Sequence, residues 1–159
     1  MFDELARWAA AALGLPFEMI LSALLKREEL GSTGTGKGVA IPHARLSGIG
    51  KPFVLLARLN TAVEFDAVDG MPVDIVCLVL LPVGSEENQH VLACIARVLR
   101  DAAVLRNIRR AANHVEAYRA LGVKGETQTG RYNNSTDLIE RTAAVTSDAL
   151  PTTALTRSR

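Results

Sequence analysis

The sequence predicts a single α/β domain in which a mixed β-sheet is sandwiched between helices. Three observations point to it. Apolar residues recur at helical spacing over residues 2–25, residues 73–81 form a nearly continuous Val- and Leu-rich run, and further helical patterns follow. An apolar run of that kind suits a central strand covered on both faces, which only helices on either side of a sheet provide. The chain has 159 residues, enough for one domain with a proper core and too few for two ordinary ones. Its 48% hydrophobic and 22% charged residues are the proportions of a soluble globular protein.

The elements follow in order. From Phe2 to Leu13, Leu5, Trp8, Ala9 and Ala12 mark one helix face, and Gly14 stops it. Pro16 suits the first turn of a second helix whose buried stripe is Ile20, Leu21, Leu24 and Leu25. That helix ends in the charged Lys26–Leu30 segment, and Gly31, Gly34, Gly36 and Gly38 then make a loop. Val39-Ala40-Ile41 is short and extended, because Pro42 pushes the residue before it out of helical geometry. Phe53–Leu59 and Val73–Leu81 read as strands. Ser85 is a candidate N-cap, with Glu86 and Glu87 at the positive end of a helix running to Arg100. Val91, Leu92, Ile95, Val98 and Leu99 point inward along it. Asp101 caps a short helix containing Leu105 and Ile108, and His114–Leu121 is the last. Residues 1–122 form the domain. Residues 123–159 are Thr-, Ser- and Asn-rich and read as a disordered tail.

Composition excludes several classes. The formal net charge is +1, so no overall field steers the chain toward nucleic acid or an anionic membrane. The acidic residues near the start do not fit a signal peptide, and no apolar run reaches the about 18–20 residues that span a bilayer. Cys77 and Cys94 fall in apolar segments and read as buried free thiols, which suits a reducing cytoplasm. No metal-ligand spacing is present, nor a Gly-x-Ser-x-Gly elbow, and no cofactor is expected.

The glycine loop, Gly31 to Gly38, resembles a phosphate-binding P-loop but lacks two of its working parts. Gly38 stands where a Ser or Thr hydroxyl would hold magnesium, and an extended segment follows where a helix N-terminus is needed. The loop leads instead into Ile41-Pro42-His43. A histidine at a strand end is ordinarily structural. Here a stiff proline precedes it, the loop's bare backbone permits close approach, and Arg45 is near enough to neutralise a phosphoryl dianion. An imidazole with an ordinary pKa of about 6.5 is neutral and nucleophilic near pH 7. His43 is therefore the candidate nucleophile for phosphoryl transfer. His90, early in the third helix, is either a surface residue or a partner for the His43 ring. His114 has no assigned role.

The stretch Arg27–Leu46 (REELGSTGTGKGVAIPHARL), the segment Thr61–Pro82, and the histidine of Glu87-Asn88-Gln89-His90 together resemble the enzyme IIA domain of the phosphoenolpyruvate-dependent phosphotransferase system. The resemblance covers residues 3–121 and is nearest to the nitrogen-regulatory branch of the fructose/mannitol type, in Val63–Asp66 and Asp69-Gly70 especially. It implies the IIA mannitol/fructose-type fold, phosphorylation of His43 by the phosphocarrier HPr or a counterpart, and support of the phosphohistidine by His90. Gly36, Lys37 and Arg45 are the phosphoryl-stabilising or partner-facing candidates, Lys37 standing where asparagine is common. Family members carry an additional N-terminal segment ahead of Asp3, so either the start is placed late or a piece of the usual packing is missing. The implied function is a regulatory phosphorelay component acting on a target protein. Two alternatives are transfer to a sugar-specific IIB component for fructose- or mannitol-type uptake, and protein binding without phosphorylation.

Overall fold

Strand β5 (Val73–Pro82) is paired along both edges and covered on both faces, and the rest of the molecule is arranged around it. The computed structural model describes residues 1–121 and the strand Thr142–Thr146. Helices α1 (Phe2–Leu13) and α2 (Phe17–Glu28) come first. A hairpin of β1 (Gly34–Gly36) and β2 (Val39–Ala40) follows, then β3 (His43–Leu46) and β4 (Phe53–Val63). After β5 come α3 (Asn88–Val98), α4 (Ala102–Arg110), α5 (His114–Ala120) and β6 (Thr142–Thr146). The sheet is mixed. β4 runs antiparallel to β5, β2 and β3 run parallel to it, and β6 runs parallel to β4.

Period-two alternation divides β5 between two cores. Val76, Leu78 and Leu80 pack against α1 and α2 with Leu5, Ala9, Ile20 and Leu24. Cys77, Val79 and Leu81 face the other way, toward Val91 and Ile95 of α3 and Leu105 and Ile108 of α4. The same alternation runs through the opposite edge. Ala40, Ala44 and Leu46 face α1 and α2, while Val39 and Ile41 face α3 and α4. β2 and β3 are thus one strand broken at Ile41-Pro42, because proline has no N–H to give to the ladder. Pro42 still accepts from the Val79 N–H at 2.8 Å, so the register against β5 survives the break.

The sheet sandwiched between helices is as the sequence predicts, and several boundaries are corrected. Gly14 ends α1 in the left-handed conformation, at φ 66°, with its N–H on Ala10 O. Ser85 does not cap α3. Its Oγ accepts from Glu87 N within a preceding turn, and the helix begins at Asn88, whose side-chain amide donates to Pro82 O at 2.8 Å. That buried tie to the end of β5 outweighs the exposed serine cap. The glycine loop is no flexible connection but the β1–β2 hairpin. Of residues 123–159, read as a disordered tail, 142–146 form β6 beside β4, and the remainder lie outside the described residues. The strand's composition, Thr-Ala-Ala-Val-Thr, has the β-branched residues that suit a pleated edge. Cys77 and Cys94 are buried and form no disulfide among the described residues, and burial pushes the Cys77 thiol up to about 12. No helix among the described residues is long and apolar enough to cross a membrane.

One ion pair fixes the hairpin to the sheet. Arg109 of α4 holds Asp74 through two hydrogen bonds of 2.7 Å and donates a third to Lys37 O. Gly38 lies between them with φ 77°, and a Cβ there would come within 2.6 Å of both Arg109 Nη2 and Asp74 Oδ1. Gly38→Ala is expected to destabilise the fold by about 1–3 kcal/mol through left-handed strain and loss of this contact. Chemical denaturation checks this, and an unchanged midpoint would remove the ion pair's claim to hold the hairpin.

Candidate phosphoryl-transfer site

The break at Ile41-Pro42 gives His43 its chemical character. Ile41 O lies 2.9 Å from His43 Nδ1. A carbonyl oxygen only accepts, so Nδ1 carries the proton and Nε2 keeps the lone pair. Arg27 Nε donates to that lone pair at 3.0 Å. The ring is therefore held in one tautomer, with its nucleophilic nitrogen pointing at a guanidinium.

Arg27 lies in the last turn of α2 and reaches His43 round the edge of β3, which pairs with β5 alone. A second hydrogen bond, from Nη1 to Gly31 O at 3.0 Å, anchors its head group. The neighbouring Glu28 keeps the chain turned at this point: one carboxylate oxygen accepts from Thr33 N at 2.9 Å and the other from Thr33 Oγ1 at 2.7 Å. A half-buried arginine beside a nucleophile is suited to neutralise charge as it develops on transferring phosphoryl oxygens. The sequence alone does not single out Arg27. Its signal was a basic residue at the C-terminal end of α2 immediately before the glycine loop, which is also where helices place basic residues to satisfy the dipole. Only the sheet register shows that this turn meets β3.

The remaining sequence candidates fall in three places. Arg45, two residues along β3, is exposed, and among the described residues its side chain makes no hydrogen bond. Its charge acts on the His43 ring through space. His90 is exposed in the first turn of α3, on the sheet face toward which His43 points. No hydrogen bond joins the two rings: His90 Nε2 lies 3.5 Å from Cys94 Sγ, one helical turn along, and the His43 nitrogens are taken by Ile41 and Arg27. Gly36 and Lys37 are not beside His43, contrary to expectation. Val39 stands opposite Ile75 and His43 opposite Val79, which sets the hairpin turn roughly 13 Å away at about 3.3 Å per strand residue. Asp69 accepts from Lys37 N at 2.7 Å, and Lys37 Nζ reaches Arg100 O at 3.4 Å. Among the described residues no group of His, Cys, Asp and Glu is arranged to hold a metal ion.

Burial lowers the His43 pKa below the ordinary 6.5. The Ile41 hydrogen bond opposes this, and the Arg27 charge adds to the lowering. The ring is therefore neutral at pH 7, as a nucleophile must be. Because the unfolded chain takes up the proton more readily, stability contributed by this ring is present above pH 6.5 and is lost as pH falls toward the folded-state value. An NMR titration of the imidazole should give a midpoint under 6.5, and Arg27→Gln should move it upward. A midpoint that Arg27→Gln leaves in place would mean the guanidinium does not act on this ring.

The sequence and the fold are similar to those of known proteins. Residues 2–122 match the sequence family described as phosphoenolpyruvate-dependent sugar phosphotransferase system, EIIA 2. The nitrogen regulatory protein of Bradyrhizobium diazoefficiens is 40% identical over 126 residues, covering 79% of this chain and 82% of that protein. The crystal structure of the nitrogen regulatory protein IIA-Ntr from Neisseria meningitidis superposes with a TM-score of 0.71 at 30% identity, over 76% of this chain and 83% of that one. Enzyme IIA mannitol of Escherichia coli, in its complex with phosphorylated enzyme IIB mannitol, shares the fold with a TM-score of 0.59 at 20% identity, over 76% and 86% of the two chains. With the match spanning nearly all the described residues, this chain belongs to the EIIA 2 family of the phosphoenolpyruvate-dependent sugar phosphotransferase system.

Proposed function

We propose that this protein is a cytoplasmic phosphoryl carrier of the nitrogen-regulatory type. His43 receives a phosphoryl group from the phosphohistidine of an HPr-like carrier, and the charge state of His43 is read by a target protein. The observation that carries this reading is the hydrogen bond from His43 Nδ1 to Ile41 O, which leaves Nε2 as the nucleophile. In the transfer, the Nε2 lone pair forms a bond to phosphorus while the donor's N–P bond breaks and its electron pair returns to the donor ring. The proton stays on Nδ1, hydrogen-bonded to Ile41 O, which helps the ring carry the positive charge it acquires. Arg27 leaves Nε2 as the phosphoryl group arrives and pairs with its oxygens, exchanging a neutral acceptor for a dianion. His90 supports the phosphohistidine without carrying the phosphate.

The regulatory reading is favoured by the 40% identity to a nitrogen regulatory protein over most of both chains. Onward transfer to a IIB component is the second reading, favoured by the mannitol IIA that shares this fold and is found in complex with its IIB.

Incubation with phosphoenolpyruvate, enzyme I and HPr should label the protein with an acid-labile, base-stable phosphate. His43→Ala should abolish the label, and label that persists would sink the assignment. Arg27→Ala should slow labelling by about 100-fold, the loss typical of one preorganised donor at a developing charge. His90→Ala should retain some label while impairing onward transfer, so complete loss of label would refute this division of roles. Absence of label on the unaltered protein would leave a binding domain that is not phosphorylated. Presenting the labelled protein to a IIB component separates the two readings, since only the second expects the phosphate to move.

A further inference from the structure

Charge in this chain is segregated. Between Arg97 and Arg119 six arginines stand against two carboxylates, Asp101 and Glu116, a local excess of four positive charges in a chain whose formal net charge is +1. Among the described residues no hydrogen bond or ion pair engages the side chains of Arg100, Arg106 and Arg110, and all three are exposed. Arg106 and Arg110 lie four residues apart on α4 and share a face. The small Ala102 and Ala103 stand at the start of that helix and leave the ridge open to close approach. Arg109, on the flank, is committed to Asp74 and Lys37 O, so it fixes α4 to the sheet and presents the exposed arginines on a rigid support. Lys37 extends the ridge. The hairpin turn that removes it from His43 carries its ammonium group to the carbonyl of Arg100.

We infer that Lys37, Arg100, Arg106 and Arg110 form a docking surface for an acidic protein segment, separate from the phosphoryl-transfer site. The guanidinium fork matches carboxylates in bidentate geometry, and these exposed arginines, without a partner among the described residues, present it to solvent. A membrane would need Trp, Phe or Leu beside the arginines, but the apolar residues Leu105 and Ile108 of α4 are buried in the core. A single-stranded nucleic acid would need stacking aromatics, and α4 has none. The ridge lies level with the start of β5 and His43 with Val79, so a partner held here leaves the histidine open to a phosphocarrier. This surface does not depend on the phosphorylation of His43.

The test is fluorescence anisotropy with a labelled Glu/Ala peptide, run beside a labelled mixed-sequence DNA duplex and a phosphatidylserine vesicle assay. The peptide should bind, more weakly as salt rises. The double variant Arg106→Ala, Arg110→Ala should raise its Kd by about tenfold, as loss of two charge contacts at an interface requires. A control with Lys26→Ala and Lys51→Ala removes the same charge elsewhere and should bind as the unaltered protein does. His43→Ala should also bind unchanged, which separates failure of this inference from failure of the phosphorylation reading. Equal losses in the double variant and the control would overturn the proposal, as would binding of the duplex or the vesicles in preference to the peptide.

Discussion

The double pairing of β5 is the constraint on which the other structural features depend. Its residues are enclosed by β4 on one edge, by the broken β2–β3 strand on the other, and by helices above and below. Because the parallel register is fixed at Val39 opposite Ile75 and at His43 opposite Val79, a single strand assigns two sites to different levels of one edge. Near its start the hairpin, Asp74 and Arg109 make a rigid ionic junction. Further along, the same edge presents the histidine.

The break in that edge turns a structural strand into a reactive one. A proline in a central ladder is costly because it removes a donor. Here the ladder loses little, since Pro42 O still bonds to β5, and Ile41 O beside it is the acceptor that fixes the imidazole tautomer. Burial then disfavours the imidazolium and Arg27 reinforces the effect, so the ring is neutral where a nucleophile is needed. Under the proposed function the guanidinium that reinforces this neutrality also meets the phosphoryl oxygens, so one residue favours opposite charge states at successive stages.

The division of basic residues follows the same geometry. Arg27 and Arg45 act on the histidine, while Lys37 and the arginines of α4 lie at the other level of the sheet. A net charge near zero hides this arrangement, because the carboxylates are concentrated in other parts of the chain. Among the arginines of α4, one makes a bidentate pair that secures the fold and the others extend into solvent. The difference is set by which face of the helix meets Asp74.

By itself the sequence determined the fold class and the central strand, and it singled out the histidine on which the proposed function rests. Helical spacing in α1 and α2 and the apolar run of β5 are local patterns that burial enforces directly. Ile41-Pro42-His43 is local as well, since the proline and the carbonyl that fix the ring are its immediate neighbours. The tertiary structure alone decided which charges act on that ring. Arg27 and Lys37 are both basic residues close to the histidine in sequence, and spacing gives no reason to prefer either. The β1–β2 turn, held by Asp69 and by the Asp74–Arg109 pair, carries Lys37 away, and the packing of α2 against β3 brings Arg27 to within 3.0 Å. Which of the two lies beside the imidazole depends on contacts spanning sixteen to seventy-two residues, and no local pattern encodes them.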